Sequence, residues 1–390
     1  MVNETDLSEE EMKGFINILL QIIINKNDIQ LFIWSSTYEE SYSFQNVIYQ
    51  ELSRLKPAAN TNIFEDKSLV FLSPGKGRTI KILKWVRDPF LVFLNTSNNR
   101  TLLATPFNDD FQIVEELERE RIVENYKYSG KFEFAGGDII NIGKYILIGQ
   151  ATLTRTEFQL FGEKRIPAWL KRMLTIRYIS SAIHVNPTRI VPIVIPERDS
   201  NLFGIDFFQR KNWFSSDVKL QKNNQEYGFI DPDLIHIDLF ITATGESLQS
   251  KPLLLLAYLV NININDCQRI IGLNSKLDII EESLASKFEI IRNPVPCVQI
   301  DSNDWVFLFY NNCIVSNEGE KKIAWLPDFL TSFDFVSPIS SKLRSIQFCN
   351  HGIWRNLGFD IINIKADFIP FLTKKGGLHC LTNEIERDLI

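Results

Sequence analysis

Leu372-Thr373-Lys374-Lys375-Gly376-Gly377-Leu378-His379-Cys380-Leu381-Thr382, close to the end of the 390-residue sequence, sets a cysteine after two glycines in a short apolar run. Alone, the stretch reads as buried packing at least as readily as a nucleophile on a tight, exposed approach, because free cysteine is among the most often buried residue types. A second stretch bears on the choice: Leu234-Ile235-His236-Ile237-Asp238-Leu239-Phe240. It reads as a strand over Leu234–Thr242, and residues two apart on a strand share a face. His236 and Asp238 are therefore expected side by side.

A thiol, an imidazole and carboxylates belong together when a planar cation is to be attacked. Carboxylates bind a guanidinium through matched, charge-assisted hydrogen bonds. A thiolate attacks its central carbon and an imidazole moves the protons. Each residue also has a plainer reading. His236 alone is a core imidazole and Asp238 a solvated strand-end group. In Asp88-Pro89 the acid is a common turn cap, and Asp138, after Gly136-Gly137, is placed to make turn hydrogen bonds. His379 neighbours Cys380 and, on an extended chain, faces the other way, so it is read as structural. A zinc site from His236, Asp238, His379 and Cys380 lacks any supporting ligand spacing, and no metal is expected.

Gly376-Gly377-Leu378-His379-Cys380-Leu381-Thr382 together with His236-Ile237-Asp238 resembles the guanidino-group-modifying enzymes of the pentein fold: agmatine, arginine and peptidylarginine deiminases, dimethylarginine hydrolases and arginine amidinotransferases. Two more stretches fall in family order. Lys84-Trp85-Val86-Arg87-Asp88-Pro89-Phe90 is similar to the early Trp-x-x-Asp segment that supplies a substrate-binding carboxylate. Phe134-Ala135-Gly136-Gly137-Asp138-Ile139-Ile140-Asn141-Ile142-Gly143, running on to Arg155-Thr156, is similar to the Gly-Gly-Asp strand pair. The sequence departs from the small-substrate deiminases at Ala135, where they usually carry Glu.

The resemblance implies an α/β fold, a five-bladed α/β propeller of ββαβ units around a pseudo-fivefold axis, with the active site in the central channel. It implies Cys380 as nucleophile, His236 as general acid and base, and Asp88 and Asp238 as the clamp on the cation. Asp138 and Arg155 are its further candidate substrate contacts, Arg155 toward a substrate carboxylate, where the plainer reading is a surface salt bridge. It implies a cofactor-free deiminase whose substrate is a guanidino-bearing small molecule or a protein arginine. An amidinotransferase shares the same residues, and a non-catalytic arginine-binding module is the reading from another class.

Composition sets the outer bounds. Hydrophobic residues make up 45% and charged residues 23%, the balance of a globular chain rather than a disordered one. A net charge of −6 argues against a broad nucleic-acid surface, which needs clustered Lys and Arg. Five scattered cysteines without a Cys-x-x-Cys pair fit a reducing compartment. The acidic start, Met1-Val2-Asn3-Glu4-Thr5-Asp6, shows no basic signal region, and no apolar run nears the roughly 18 residues of a membrane span. A cytoplasmic protein with no membrane partner is expected.

Periodicity alternates helices and strands throughout. Helices are expected from Ser8 to about Asn25 and over Glu39–Leu55, Phe111–Tyr126, Glu157–Leu174 with a break at Ile166-Pro167, Asp266–Phe288 and Ser337–Leu357. Strands are expected over Ile29–Ser35, Lys67–Leu72, a pair Thr79–Val86 and Phe90–Leu94, Asp138–Ile142, Tyr145–Gly149, Arg189–Ile195, Leu234–Thr242, Pro252–Tyr258, Glu289–Ile291, Trp305–Tyr310, Lys321–Trp325 and Phe359–Ile364. Glu197–Asn224 is the least regular stretch and a candidate substrate-facing loop. No Pro-, Gly- or Ser-rich linker divides the chain, so residues 1–390 read as one catalytic domain.

Overall fold

A computed structural model of the chain describes residues 9–25, 31–34, 38–55, 69–72, 90–94, 100–104, 112–121, 123, 126–162, 164–194, 236–264, 267–300, 305–318, 321–333, 337–373 and 376–382. In chain order the elements begin with α1 (Glu9–Asn25), then β1 (Leu31–Trp34), α2 (Tyr38–Leu55) and β2 (Leu69–Leu72). Next come β3 (Phe90–Leu94), β4 (Arg100–Ala104), α3 (Gln112–Arg119) and β5 (Tyr126–Tyr128). The third group is β6 (Ile139–Ile142), β7 (Tyr145–Gly149), α4 (Gln150–Phe161), α5 (Ala168–Ala182) and β8 (Ile190–Ile193). The fourth is β9 (Ile241–Leu248), β10 (Lys251–Asn261), α6 (Cys267–Leu284), β11 (Glu289–Gln299) and β12 (Trp305–Phe307). The last is β13 (Ile314–Glu318), β14 (Lys321–Pro327), α7 (Leu330–Phe333), α8 (Ser337–Asn356) and β15 (Asp360–Ile364), followed by α9 (Ile369–Leu372).

Each group owns one small sheet among the described residues, and four of the sheets repeat one plan. Strands β3 and β4 pair antiparallel, and the chain crosses through α3 to lay β5 parallel to β4. Strands β6, β7 and β8 do the same around α4 and α5. Strands β9, β10 and β11 follow around α6, with β12 added antiparallel to β11, and β13, β14 and β15 follow around α7 and α8. The first sheet has the parallel pair β1 and β2 around α2. An antiparallel pair needs only a short turn, whereas a parallel pair needs a helical crossover. The alternation of short and long connections is thus the cause of the ββαβ unit.

Local sequence explains the units. Between β6 and β7 the chain reverses through Gly143-Lys144, with Gly143 in the left-handed region at φ 55°, a conformation that a Cβ would strain. The carbonyls of that turn are held by Arg189, whose Nε donates to Lys144 O at 2.9 Å. Strand β10 carries Leu253, Leu254, Leu255, Leu256 and Ala257, all buried, because it lies between two paired neighbours and is covered on both faces. Its cover includes α6, which buries Ile270, Leu273, Leu277, Ile280 and Leu284 at helical spacing.

Two large apolar clusters meet near the end of the described chain. One gathers α1, Phe329, Phe368 and Phe371 with Leu378 and Leu381. The other gathers β6 to β10 and α6 with Cys380. The cysteine turn therefore lies at the seam, its leucines in one core and its thiol against the other.

The structure departs from the sequence expectations in several places. The helix expected over Phe111–Tyr126 stops at Arg119, Arg121 has a left-handed φ of 57°, and Tyr126–Tyr128 is a strand. The partner of β3 is β4 over Arg100–Ala104; Thr79–Val86 lies outside the described residues, as does Glu197–Asn224. Leu234–Thr242 is not one strand: a single 3-10 turn spans Ile237–Leu239 and β9 begins at Ile241. Among the described residues, no helix is long and apolar enough to cross a membrane.

Candidate active site

The site is built from turns, two of which lead into strands. Residues 377–382 form one, closed by Leu381 N–H donating to Gly377 O at 3.3 Å and by the Thr382 hydroxyl donating to His379 O at 3.1 Å. The Ile237–Leu239 turn is another, closed by Leu239 N–H on His236 O at 3.2 Å. Gly136–Asp138 is a third and leads directly into β6.

These turns converge. Cys380 Sγ lies 3.7 Å from Asp238 Oδ2, and the same carboxylate oxygen is 2.9 Å from His379 Nδ1. Asp238 is 1% exposed and Cys380 4%, so the pair is held away from bulk water. A Cβ added at Gly137 would lie 2.9 Å from Asp238 Oδ1 and 3.0 Å from His236 Nδ1. Glycine at that position lets the two side chains close over the backbone. His236 and Asp238 do therefore lie together, though for a different reason from the one the sequence offered. His236 leads into, and Asp238 lies within, a turn pressed onto Gly137, and strand alternation has no part in it.

His379 also differs from its expectation. Because the cysteine stretch is a turn and not a strand, successive side chains are not sent to opposite faces, and the His379 ring reaches the Asp238 carboxylate. Its side chain is 24% exposed, so it stands between the buried acid and solvent.

Asn312 is the residue that the sequence reading missed. It lies in the turn before β13, is fully buried, and touches both halves of the site. Its Oδ1 accepts from the backbone N–H of His379 at 2.8 Å and of Cys380 at 3.3 Å. Its Nδ2 donates to Asp238 O at 3.3 Å and to Cys380 Sγ at 3.2 Å. A Cβ on Gly377 would fall 2.7 Å from that Oδ1, which explains the second glycine of the Gly376-Gly377 pair. Nothing in the local pattern Tyr310-Asn311-Asn312-Cys313 marks it as functional.

Asp138 is wholly buried and accepts from the N–H of Thr152 at 2.7 Å, satisfying one of the unpaired donors at the start of α4. The close approach depends on Gly149, where a Cβ would collide with the carboxylate at 1.6 Å. Burial pushes the Asp138 carboxyl up to about 6, against the opposing pull of the His236 charge, the Thr152 hydrogen bonds and Arg155. Arg155 is itself buried on α4 and so is not the surface group of its plainer reading. Asp138 and Arg155 thus sit behind the site, with His236 within electrostatic reach. Asp88 lies outside the described residues.

The other cysteines provide contrast. Cys267 and Cys349 are exposed, and Cys297 and Cys313 are buried. Burial pushes the Cys313 thiol up to about 12, an inert packing group. No cluster of metal-ligating side chains occurs among the described residues.

No protein-family model and no curated protein matches the sequence. Comparison of folds does find relatives. A substrate-bound cysteine-to-serine variant of agmatine deiminase from C. jejuni matches with a TM-score of 0.55 at 12% identity, over 97% of this chain and 88% of that one. The enzyme without the substitution matches with a TM-score of 0.53 at 13% identity, over the same shares of the two chains. A putative arginine deiminase from Porphyromonas gingivalis matches with a TM-score of 0.53 at 14% identity, over 96% of this chain and 89% of that one. The chain has the pentein fold. The pentein likeness extends over nearly the whole chain, and the ββαβ plan of its sheets is the local expression of it.

Proposed function

We propose that this pentein-fold chain is a cofactor-free, thiol-dependent hydrolase of guanidino groups, a deiminase acting on an arginine-like substrate. The observation that carries the reading is the approach of Cys380 Sγ to within 3.7 Å of the buried Asp238 carboxylate. A buried carboxylate beside a thiol is costly on its own and suits a cation that neutralises it while presenting an electrophilic carbon to sulfur. The deiminase names of the fold relatives support the class of reaction. Under the same reading, the five sheets close into a five-bladed propeller, residues 1–390 act as one catalytic domain, and Asp88 completes the clamp.

The reaction balances without an added group. The guanidinium is held by Asp238 and Asp88. The Cys380 thiolate attacks its carbon and the C–N π pair moves to nitrogen, giving a tetrahedral adduct. His236 gives a proton to the departing nitrogen, the C–N bond breaks, and ammonia leaves behind an S-alkylthiouronium. His236 then takes a proton from water as the water oxygen bonds to carbon, and the C–S bond breaks to return the thiolate and release a ureido product. Asp138 and Arg155 support His236 from behind.

The test is release of ammonia from agmatine, arginine and an arginine peptide, and of ammonia or methylamines from methylarginines, by the wild type and by Cys380→Ser. Turnover of one of these that is lost in the serine variant supports the reading. Absence of both ammonia and methylamines from all of them favours a binding module, and transfer of an amidino group to an added amine makes the protein an amidinotransferase.

A further inference from the structure

We infer that Asn312 is a positioning residue that sets the ionisation of the Cys380 thiol, a role that rests on the nucleophile assignment above. Its orientation follows from simple hydrogen-bond accounting. The backbone N–H groups of His379 and Cys380 can only donate, so the oxygen of the Asn312 amide must face them, at 2.8 and 3.3 Å. The amide nitrogen is then turned the other way, toward Asp238 O, which can only accept, and toward Cys380 Sγ at 3.2 Å. Reversing the amide would set two donors against two donors and one acceptor against another. The orientation of the donor at sulfur is therefore dictated by the backbone around it.

A donor at sulfur favours the thiolate, because it stabilises the charged form. The groups that face Cys380 pull in opposite directions. Asp238 Oδ2, at 3.7 Å, accepts from the thiol and favours the protonated form. His379, paired to that oxygen, draws its charge away from sulfur, and His236 lies with the same carboxylate over Gly137. Asn312 is the neutral member of the set and acts on sulfur at any pH.

Its place in the fold supports the assignment. The lead-in to β6 delivers Asp138, the lead-in to β9 delivers Asp238 with His236, and the lead-in to β13 delivers Asn312. Successive ββαβ units thus present a polar side chain from the one to three residues before their first strand, and Asn312 is the contribution of the last unit. An amide rather than an acid at that position supplies a donor to sulfur without adding a second negative charge beside Asp238.

The test titrates the thiol directly and needs no substrate. Thiolate ultraviolet absorbance is followed with pH in the wild type and in Asn312→Ala, each with its Cys380→Ser counterpart subtracted, so that the difference reports Cys380 alone. The expected result is an upward displacement of the Cys380 midpoint by about one pH unit in Asn312→Ala, equivalent to about tenfold less thiolate at neutral pH. Asn312→Ser, whose hydroxyl can still serve the backbone but is too short to reach sulfur, is expected to show the same displacement if the alanine variant does not fold. An unchanged midpoint in a folded variant would overturn the assignment. So would loss of folding in both variants, which would make Asn312 a backbone clamp and nothing more. Because no turnover is measured, a displaced midpoint in a protein that releases no ammonia would retain the role of Asn312 and discard the deiminase reading, while turnover with an unmoved midpoint would do the reverse.

Discussion

Asp138 shows how a single buried group leaves a signature in stability. Its carboxyl moves from an ordinary 3.8 in the open chain to about 6 in the fold. Between these values the folded protein holds a proton that the unfolded chain has released, so the stability contributed by this group is fully present below about pH 4 and is lost as pH rises through about 6. The loss attributable to this group is about 3 kcal/mol. Asn at the same position still accepts from Thr152 N–H but does not titrate. The difference in denaturation free energy between wild type and Asp138→Asn should therefore slope across that window and level off above it; parallel curves would refute the assignment. Gly137 makes a second residue-scale prediction. Gly137→Ala should lower turnover by about a hundredfold or more, because small displacements of catalytic groups are costly, while destabilising the fold by only about 1–3 kcal/mol. Steady-state kinetics and a denaturant melt check the two halves. At this scale the convergence of Cys380 and His236 with Asp238 was legible because thiols and imidazoles are scarce, five and four in the chain, and chemically distinctive. Asn312 was not, since an asparagine before a strand is ordinary turn chemistry.

Elements were legible where their periodicity was long. The spans of α1, α2, α6 and α8 lie close to the hydrophobic pattern, and so do β6 and β7, whose two-residue turn is written in Gly143-Lys144. Strands β4, β5 and β13 were missed because Arg100–Ala104, Tyr126–Tyr128 and Ile314–Glu318 show no clean two-residue alternation bounded by turn residues. The false strand at Leu234–Thr242 arose from an apolar run that period alone cannot divide into turn and strand. Junctions between units were wholly invisible, and one of them bears directly on the site. Asn311 joins the sheet of β9 to β11 to the lead-in of β13: its Nδ2 donates to Leu255 O at 3.1 Å, its Oδ1 accepts from Asn293 at 3.2 Å, and its carbonyl accepts from the Thr242 hydroxyl at 2.7 Å. All of these partners are buried. Asn311→Ala strands a carbonyl and an amide without partners and should cost about 2–4 kcal/mol, given the penalty for buried unsatisfied groups. It should also lower turnover through its neighbour Asn312. A melting curve superimposable on that of the wild type would show that the junction is held by packing alone.

The fold relatives and the repeated ββαβ plan agree at the scale of the whole molecule, although no stretch of sequence repeats with identity. That agreement was legible only through motif order, because each unit keeps its hydrogen-bond plan while its residues differ. The arrangement makes a prediction about which of five thiols reacts. A neutral alkylating agent selects by exposure, and Cys267 and Cys349 are the exposed cysteines, whereas Cys380 is 4% exposed and Cys297 and Cys313 are buried. A haloacetamidine carries a planar cation shaped like a guanidinium. Among the described residues, it is at Cys380 that a thiol stands beside a buried carboxylate, at 3.7 Å, which under the proposed function holds that cation. Changing reagent charge should therefore invert the order of labelling. The neutral reagent should modify Cys267 and Cys349 first, while the amidine should modify Cys380 on the order of tenfold faster than either, a ratio that corresponds to about 1.4 kcal/mol of preferential binding. Peptide mapping after limited labelling reads the order, and Cys380→Ser removes the fast phase. An added guanidino compound should slow the amidine at Cys380 and leave the neutral reagent at Cys267 unchanged. If the amidine instead follows exposure as the neutral reagent does, the carboxylate beside Cys380 holds no cation, and the proposed chemistry has lost its binding step.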